Sequence, residues 1–95
     1  MIDIENVRAN IKFAGNEQGY KIAMENDEVT IYVETLFNLD LYETELTTDL
    51  SYVKVSEYEY TLTGDILGFN RIQITITDKP KVKQTRSNTL LLIVK

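Results

Sequence analysis

The chain has no cysteine, no histidine and no tryptophan among its 95 residues, and a single proline. Without Cys neither a disulfide nor a thiolate metal site can form, and the redox compartment stays open. Without His the commonest general base, the usual nitrogen ligand for a metal and the Ser–His dyad are all excluded. No apolar run approaches the ~20 residues that a membrane-spanning helix needs, so no membrane span is expected. The opening Met1-Ile-Asp-Ile-Glu has neither a basic n-region nor an apolar h-region and does not read as a signal peptide. Acid is missing from one end: residues 1–78 hold all fifteen Asp/Glu and five Lys/Arg, a net of −10. Residues 79–95 hold only Lys79, Lys81, Lys83, Arg86 and Lys95, a net of +5. So sharp a split predicts a polar axis whose field steers the approach of a partner.

What is present is the composition of a folded chain. A hydrophobic content of 43% argues against disorder, and the length allows one domain, 1–95, with no room for a second core. The net charge of −5 works against non-specific binding to nucleic acid or anionic lipid.

The dominant period is two, the period of a half-buried strand. Val7, Ala9, Ile11 and Phe13 alternate with Arg8, Asn10 and Lys12. Gly15, Asn16 and Gly19 supply turn chemistry, after which Tyr20, Ile22 and Met24 alternate with Lys21 and Ala23. Val29, Ile31 and Val33 begin a third strand, and residues 38–40 read as a loop. Segments 41–47, 50–55 and 58–63 are three further strand candidates, rich in Tyr and Thr. Gly64 and Gly68 bracket a turn before Ile72, Ile74 and Ile76, which oppose Arg71, Gln73, Thr75 and Thr77. The Asp78-Lys79-Pro80-Lys81 step breaks that strand, because Pro has no ladder donor. A basic connection through Arg86 then leads to the apolar run Leu90-Leu91-Leu92-Ile93-Val94. Seven or eight short strands with turns every 8–12 residues predict an all-β chain, an antiparallel sandwich of about seven strands with a small β-barrel as the alternative.

The last third carries a resemblance. Thr61-Leu62-Thr63-Gly64, Leu67-Gly68-Phe69-Asn70, the alternating 71–78 segment ending in Thr77-Asp78, and Asn88-Thr89 leading into Leu90 follow one another in this order. The pattern resembles the bacterial and bacteriophage immunoglobulin-like modules, in which a Gly-x-Asn turn precedes an alternating strand and a final strand exits the domain. The resemblance implies an immunoglobulin-like sandwich acting as a structural or adhesive unit of a virion or a bacterial surface. It transfers no functional residue, and the Cys–Trp–Cys core of antibody domains is absent.

Two groups of residues are candidates for contact. The basic segment Lys79, Lys81, Lys83 and Arg86 reads either as a protruding loop that docks on an acidic protein partner or a neighbouring copy, or as a solvated connection whose cations keep an edge strand from aggregating. Nucleic acid is a poor fit for it beside a body of −10, although a barrel with stacking aromatics remains a local alternative. Tyr58 and Tyr60, two apart, share a strand face and could stack on a sugar ring, or simply pack across strands. Asp40, Asp49, Asp65 and Asp78 lie near strand ends and Glu25, Asp27 and Glu28 in one turn, but no EF-hand spacing is present. No cofactor is implied. With no His, no Cys and no nucleophile setting, the reading is a non-enzymatic structural or protein-interaction module. A carbohydrate-binding module and a small acidic inhibitor or regulator of a host protein are the alternatives.

Overall fold

The computed structural model describes residues 9–16, 18–35, 38–78 and 83–95, which form an all-β structure of two packed sheets. In chain order the strands are β1 (Ala9–Phe13), β2 (Tyr20–Ala23), β3 (Glu28–Thr35), β4 (Glu43–Thr47), β5 (Ser51–Ser56), β6 (Glu59–Thr63), β7 (Gly68–Asp78), β8 (Lys83–Arg86) and β9 (Leu90–Val94). The first sheet has the order β1-β3-β6-β5, antiparallel throughout. The second has the order β2-β9-β7-β4, with β8 also on β7. Its β2–β9 pair is parallel and the others are antiparallel. These are two separate sheets, not one closed barrel.

The inner faces follow the period-two pattern. Ile11, Phe13, Ile31, Tyr60 and Leu62 of the first sheet meet Ile72, Ile74, Ile76, Leu90 and Leu92 of the second, all essentially without solvent contact. Alternation puts every second residue of a strand on one face, so this set is what a sandwich of these sequences must bury.

β2 departs from expectation. The larger apolar set Tyr20, Ile22 and Met24 lies outside, and Ala23 is the buried residue. Ala23 pairs with the buried Val94, so both turn inward together. The space there is narrow: a Cβ on Gly64 would stand 3.1 Å from the Val94 side chain.

The second departure lies in the basic segment. Its end is not a connection but the strand β8, which folds back on β7 with Asp78 opposite Lys83. Between the pairs Thr75–Arg86 and Ile72–Leu90, β7 advances three residues and its partner four. β8 and β9 are thus one strand interrupted by a bulge over 87–89. Side chains replace the ladder at this point. The Ile74 N–H donates to Ser87 Oγ at 3.0 Å, and Gln73 Nε2 donates to the Ser87 carbonyl at 2.8 Å. The bulge aims Asn88 across at the first sheet. Its Oδ1 accepts the Ile11 N–H at 2.7 Å and its Nδ2 donates to the Ile11 carbonyl at 3.1 Å. One side-chain amide thereby pairs with the outer edge of β1 as a neighbouring peptide group would.

A 3-10 turn, Leu39–Leu41, occupies the expected loop before β4, with Asn38 Oδ1 capping the Asp40 N–H. No helix among the described residues is long and apolar enough to cross a membrane.

Candidate interaction surface

Of the four basic candidates, Lys79 and Lys81 lie outside the described residues. Lys83 opens β8 opposite Asp78, and Arg86 closes it opposite Thr75, exposed on the outer face of the second sheet. Among the described cations of the last seventeen residues, Lys95 stands apart from Lys83 and Arg86. β8 and β9 run the length of β7, so Lys83 sits by Asp78, whereas Lys95 follows Val94, which pairs with Gly68 at the far end of that strand. The Lys95 N–H donates to the Ala23 carbonyl there. The antiparallel return of the chain thus separates Lys95 from Lys83 and Arg86 along the sheet.

The tyrosine pair is also corrected. Tyr60 is fully buried, with its ring edge-on to Tyr52 at 6.0 Å between centroids, and so has no face to offer a sugar. Tyr58 lies in the turn before β6 rather than on a shared strand face, with its ring partly exposed. Its hydroxyl accepts the Leu39 N–H at 2.9 Å, which ties the 3-10 turn to the β5–β6 turn. The two rings do not form a stacking platform.

Around Tyr60 a polar cluster closes one side of the sandwich. Lys54 points inward from β5, its Nζ donating to Thr44 Oγ1 at 3.0 Å and to the Thr44 carbonyl at 3.2 Å. The same ammonium is 3.1 Å from the Glu57 carboxylate, and the Thr44 hydroxyl donates to that carboxylate. The cluster bridges the open edges β4 and β5, and an inward cation on an edge strand discourages pairing with another chain. The acidic residues act singly. Asp27 accepts the Met24 N–H, and Asp65 accepts from both the hydroxyl and the N–H of Ser51. Those two bonds, the hydroxyl first, hold the Asp65 carboxyl below its ordinary range. Among the described residues no three acidic side chains come together as a metal cage would require.

The feature that sequence reasoning missed is the outer face of the second sheet. The registers set Ile22 beside Ile93 and Ile93 beside Phe69, and one row away Tyr20 beside Leu91 and Leu91 beside Arg71. This is a grid of five large apolar side chains and one cation on three adjacent strands. Tyr20, Ile22 and Phe69 are 47%, 53% and 75% exposed. The matching centre of the first sheet carries Thr30, Tyr32, Thr61 and Thr63 instead. The signal was present as the alternating Tyr20, Ile22 and Met24, but period alone does not say which face is inside.

Beyond Phe69 the sheet opens. β4 ends at Thr47, opposite Gln73, and the chain then leaves β7 to cross to the first sheet at β5. A depression of about 440 Å³ remains, lined by Thr47, Thr48 and Asp49 on one side and by β7 residues including Phe69 and Arg71 on the other. Asn70 forms its floor, buried, with Nδ2 donating to the Ile66 carbonyl at 2.9 Å and to the Gly68 carbonyl at 3.2 Å. No protein-family model matches the chain, and no curated protein matches it.

Proposed function

We propose that this chain is a non-enzymatic, immunoglobulin-like module that works by protein contact, as a structural unit of a phage virion or a bacterial surface assembly. The strand orders β1-β3-β6-β5 and β2-β9-β7-β4, with the first strand divided between the sheets, support the immunoglobulin-like reading. The observation that carries the contact function is the apolar grid of Tyr20, Ile22, Phe69, Leu91 and Ile93 on an outer sheet face. Single exposed apolar residues are normal, but a contiguous group of them on adjacent strands marks an interface.

The occupant is a second copy of the chain. The molecule is acidic, with a net charge of −5, and copies repel over most of their surface. The grid carries no carboxylate, so it is where two copies meet without like charges in contact. A two-fold arrangement keeps the two Arg71 residues at opposite corners. Sedimentation equilibrium of the wild type beside an Ile22→Lys/Ile93→Lys variant tests this. Concentration-dependent association in the wild type, lost in the variant while the circular dichroism is unchanged, is the expected result. A wild type that stays monomeric at millimolar concentration overturns it.

A further inference from the structure

The open stretch of β7 has unpaired backbone groups as well as an exposed side chain. Both the N–H and the C=O of Ile74 bond to Ser87, on the side of β8 and β9. Backbone groups of successive strand residues point to opposite edges, so Phe69, Arg71 and Gln73 direct theirs to the β4 side. Gln73 meets Thr47 there, and Phe69 and Arg71 meet no strand among the described residues. The other long edge, β5, is guarded by the inward Lys54 and by a register shift between Lys54 and Ser56. The stretch of β7 has neither guard.

We propose that this stretch is a peptide-docking edge: an extended segment of another protein adds as a strand beside Phe69 and Arg71, between β7 and the wall of Thr47, Thr48 and Asp49. The site goes beyond the apolar-face association and stands without it. Its occupant is set by hydrogen-bond chemistry. Two N–H and two C=O groups along one line, spanning about 10 Å, are matched by an extended backbone. The opposite wall is lined by Thr47, Thr48 and Asp49, residue types whose side chains carry acceptor oxygens for the N–H groups on the far edge of the guest strand, although Thr48 Oγ1 already accepts the Leu50 N–H. A slender segment fits this slot, whereas the edge of a second folded copy would meet the 47–49 wall first. Side chains on the guest facing Phe69 and Arg71 are best apolar and acidic, two residues apart, as cross-strand partners of these two.

The test uses the full chain, isotope-labelled, and a synthetic capped heptapeptide with Val at its third position, Glu at its fifth and Thr elsewhere, so that an apolar and an acidic side chain share one face. Its fully N-methylated twin has the same side chains but no N–H donors. In the free chain the Phe69 and Arg71 amides exchange with solvent more than about tenfold faster than those of Asn70 and Ile72, and the peptide slows them by a similar factor. The twin has no effect. Arg71→Pro removes a donor that no strand uses, so the ladder is kept and binding is lost, while Arg71→Gln weakens binding without abolishing it. The proposal is overturned if those two amides are already protected in the free chain. It is equally overturned by a twin that binds as well as the peptide, by no response at millimolar peptide, or by maltohexaose giving the same shifts and making the groove a glycan site. Because Ile22 and Ile93 are untouched, failure here leaves the association test undisturbed.

Discussion

At the scale of single residues, Asn88 and Asp65 do work that their types alone do not announce. Asn88 supplies both an acceptor and a donor to the backbone of Ile11, a buried residue on an edge that no other strand among the described residues pairs with. Asn88→Ala leaves two polar groups of β1 without partners and is expected to cost about 2 kcal/mol, read as a lower midpoint in urea. Asn88→Asp is expected to cost more, since its carboxylate cannot donate to the Ile11 carbonyl and stands close to it. Asp65 gives the chain an acid-sensitive contact. Its folded pKa is lowered below the ordinary 3.8, so its contribution is fully present above that value and is lost as pH falls through the folded one. Nuclear magnetic resonance titration is expected to find Asp65 below 3.8 in the wild type and to find it moved upward in Ser51→Ala. An Asp65 that titrates identically in both proteins counts against the role given to the Ser51 hydroxyl.

At the scale of elements, the edges decide behaviour. Lys54 reaches from β5 across to β4, where it meets Thr44. Lys54→Val removes an inward charge from an exposed edge that already presents Val53 and Val55. The expected outcome is faster aggregation by light scattering, together with a loss of about 1 kcal/mol as Glu57 and Thr44 lose their bonds to the ammonium. Elements also show what can be read from residues alone. Ile72, Ile74 and Ile76 announce β7 and its inner face, because three β-branched residues at period two have one way to be buried together. β8 stays hidden because Lys83, Gln84, Thr85 and Arg86 are polar and alternate nothing; it exists because the chain turns back on a long strand already in place. The exposed face of β2 is hidden for a different reason. Ala23 turns inward because it pairs with the buried Val94, on a strand more than sixty residues away. Tyr60 looks like a surface residue only until β4 and β5 close over it. The open edge of β7 follows from where β4 stops, which no local pattern records.

At the scale of the whole molecule, two kinds of association contact respond to salt in opposite directions. A head-to-tail contact between an acidic body and a basic end weakens steeply as screening shortens the reach of charge. An apolar contact between two molecules of like net charge strengthens instead, because salt screens their repulsion. Raising ionic strength from about 0.05 to 0.5 M is therefore expected to tighten the self-association seen in sedimentation; weakening would favour the charge-driven contact. The bulge over 87–89 has a consequence of another kind: it changes the parity of the chain. Before it the odd-numbered Thr85 and Ser87 share a face with the core residues Ile76 and Ile74 opposite them, and after it the even-numbered Leu90, Leu92 and Val94 do. Were the ladder to run on unbroken from the Thr75–Arg86 pair with every residue kept, Leu90 would fall opposite Arg71 and the final strand would turn inside out, sending Leu90, Leu92 and Val94 to solvent and Leu91 and Ile93 to the core. The last third of this chain is thus written in two reading frames of a two-letter code, in and out, and three residues hold the shift between them.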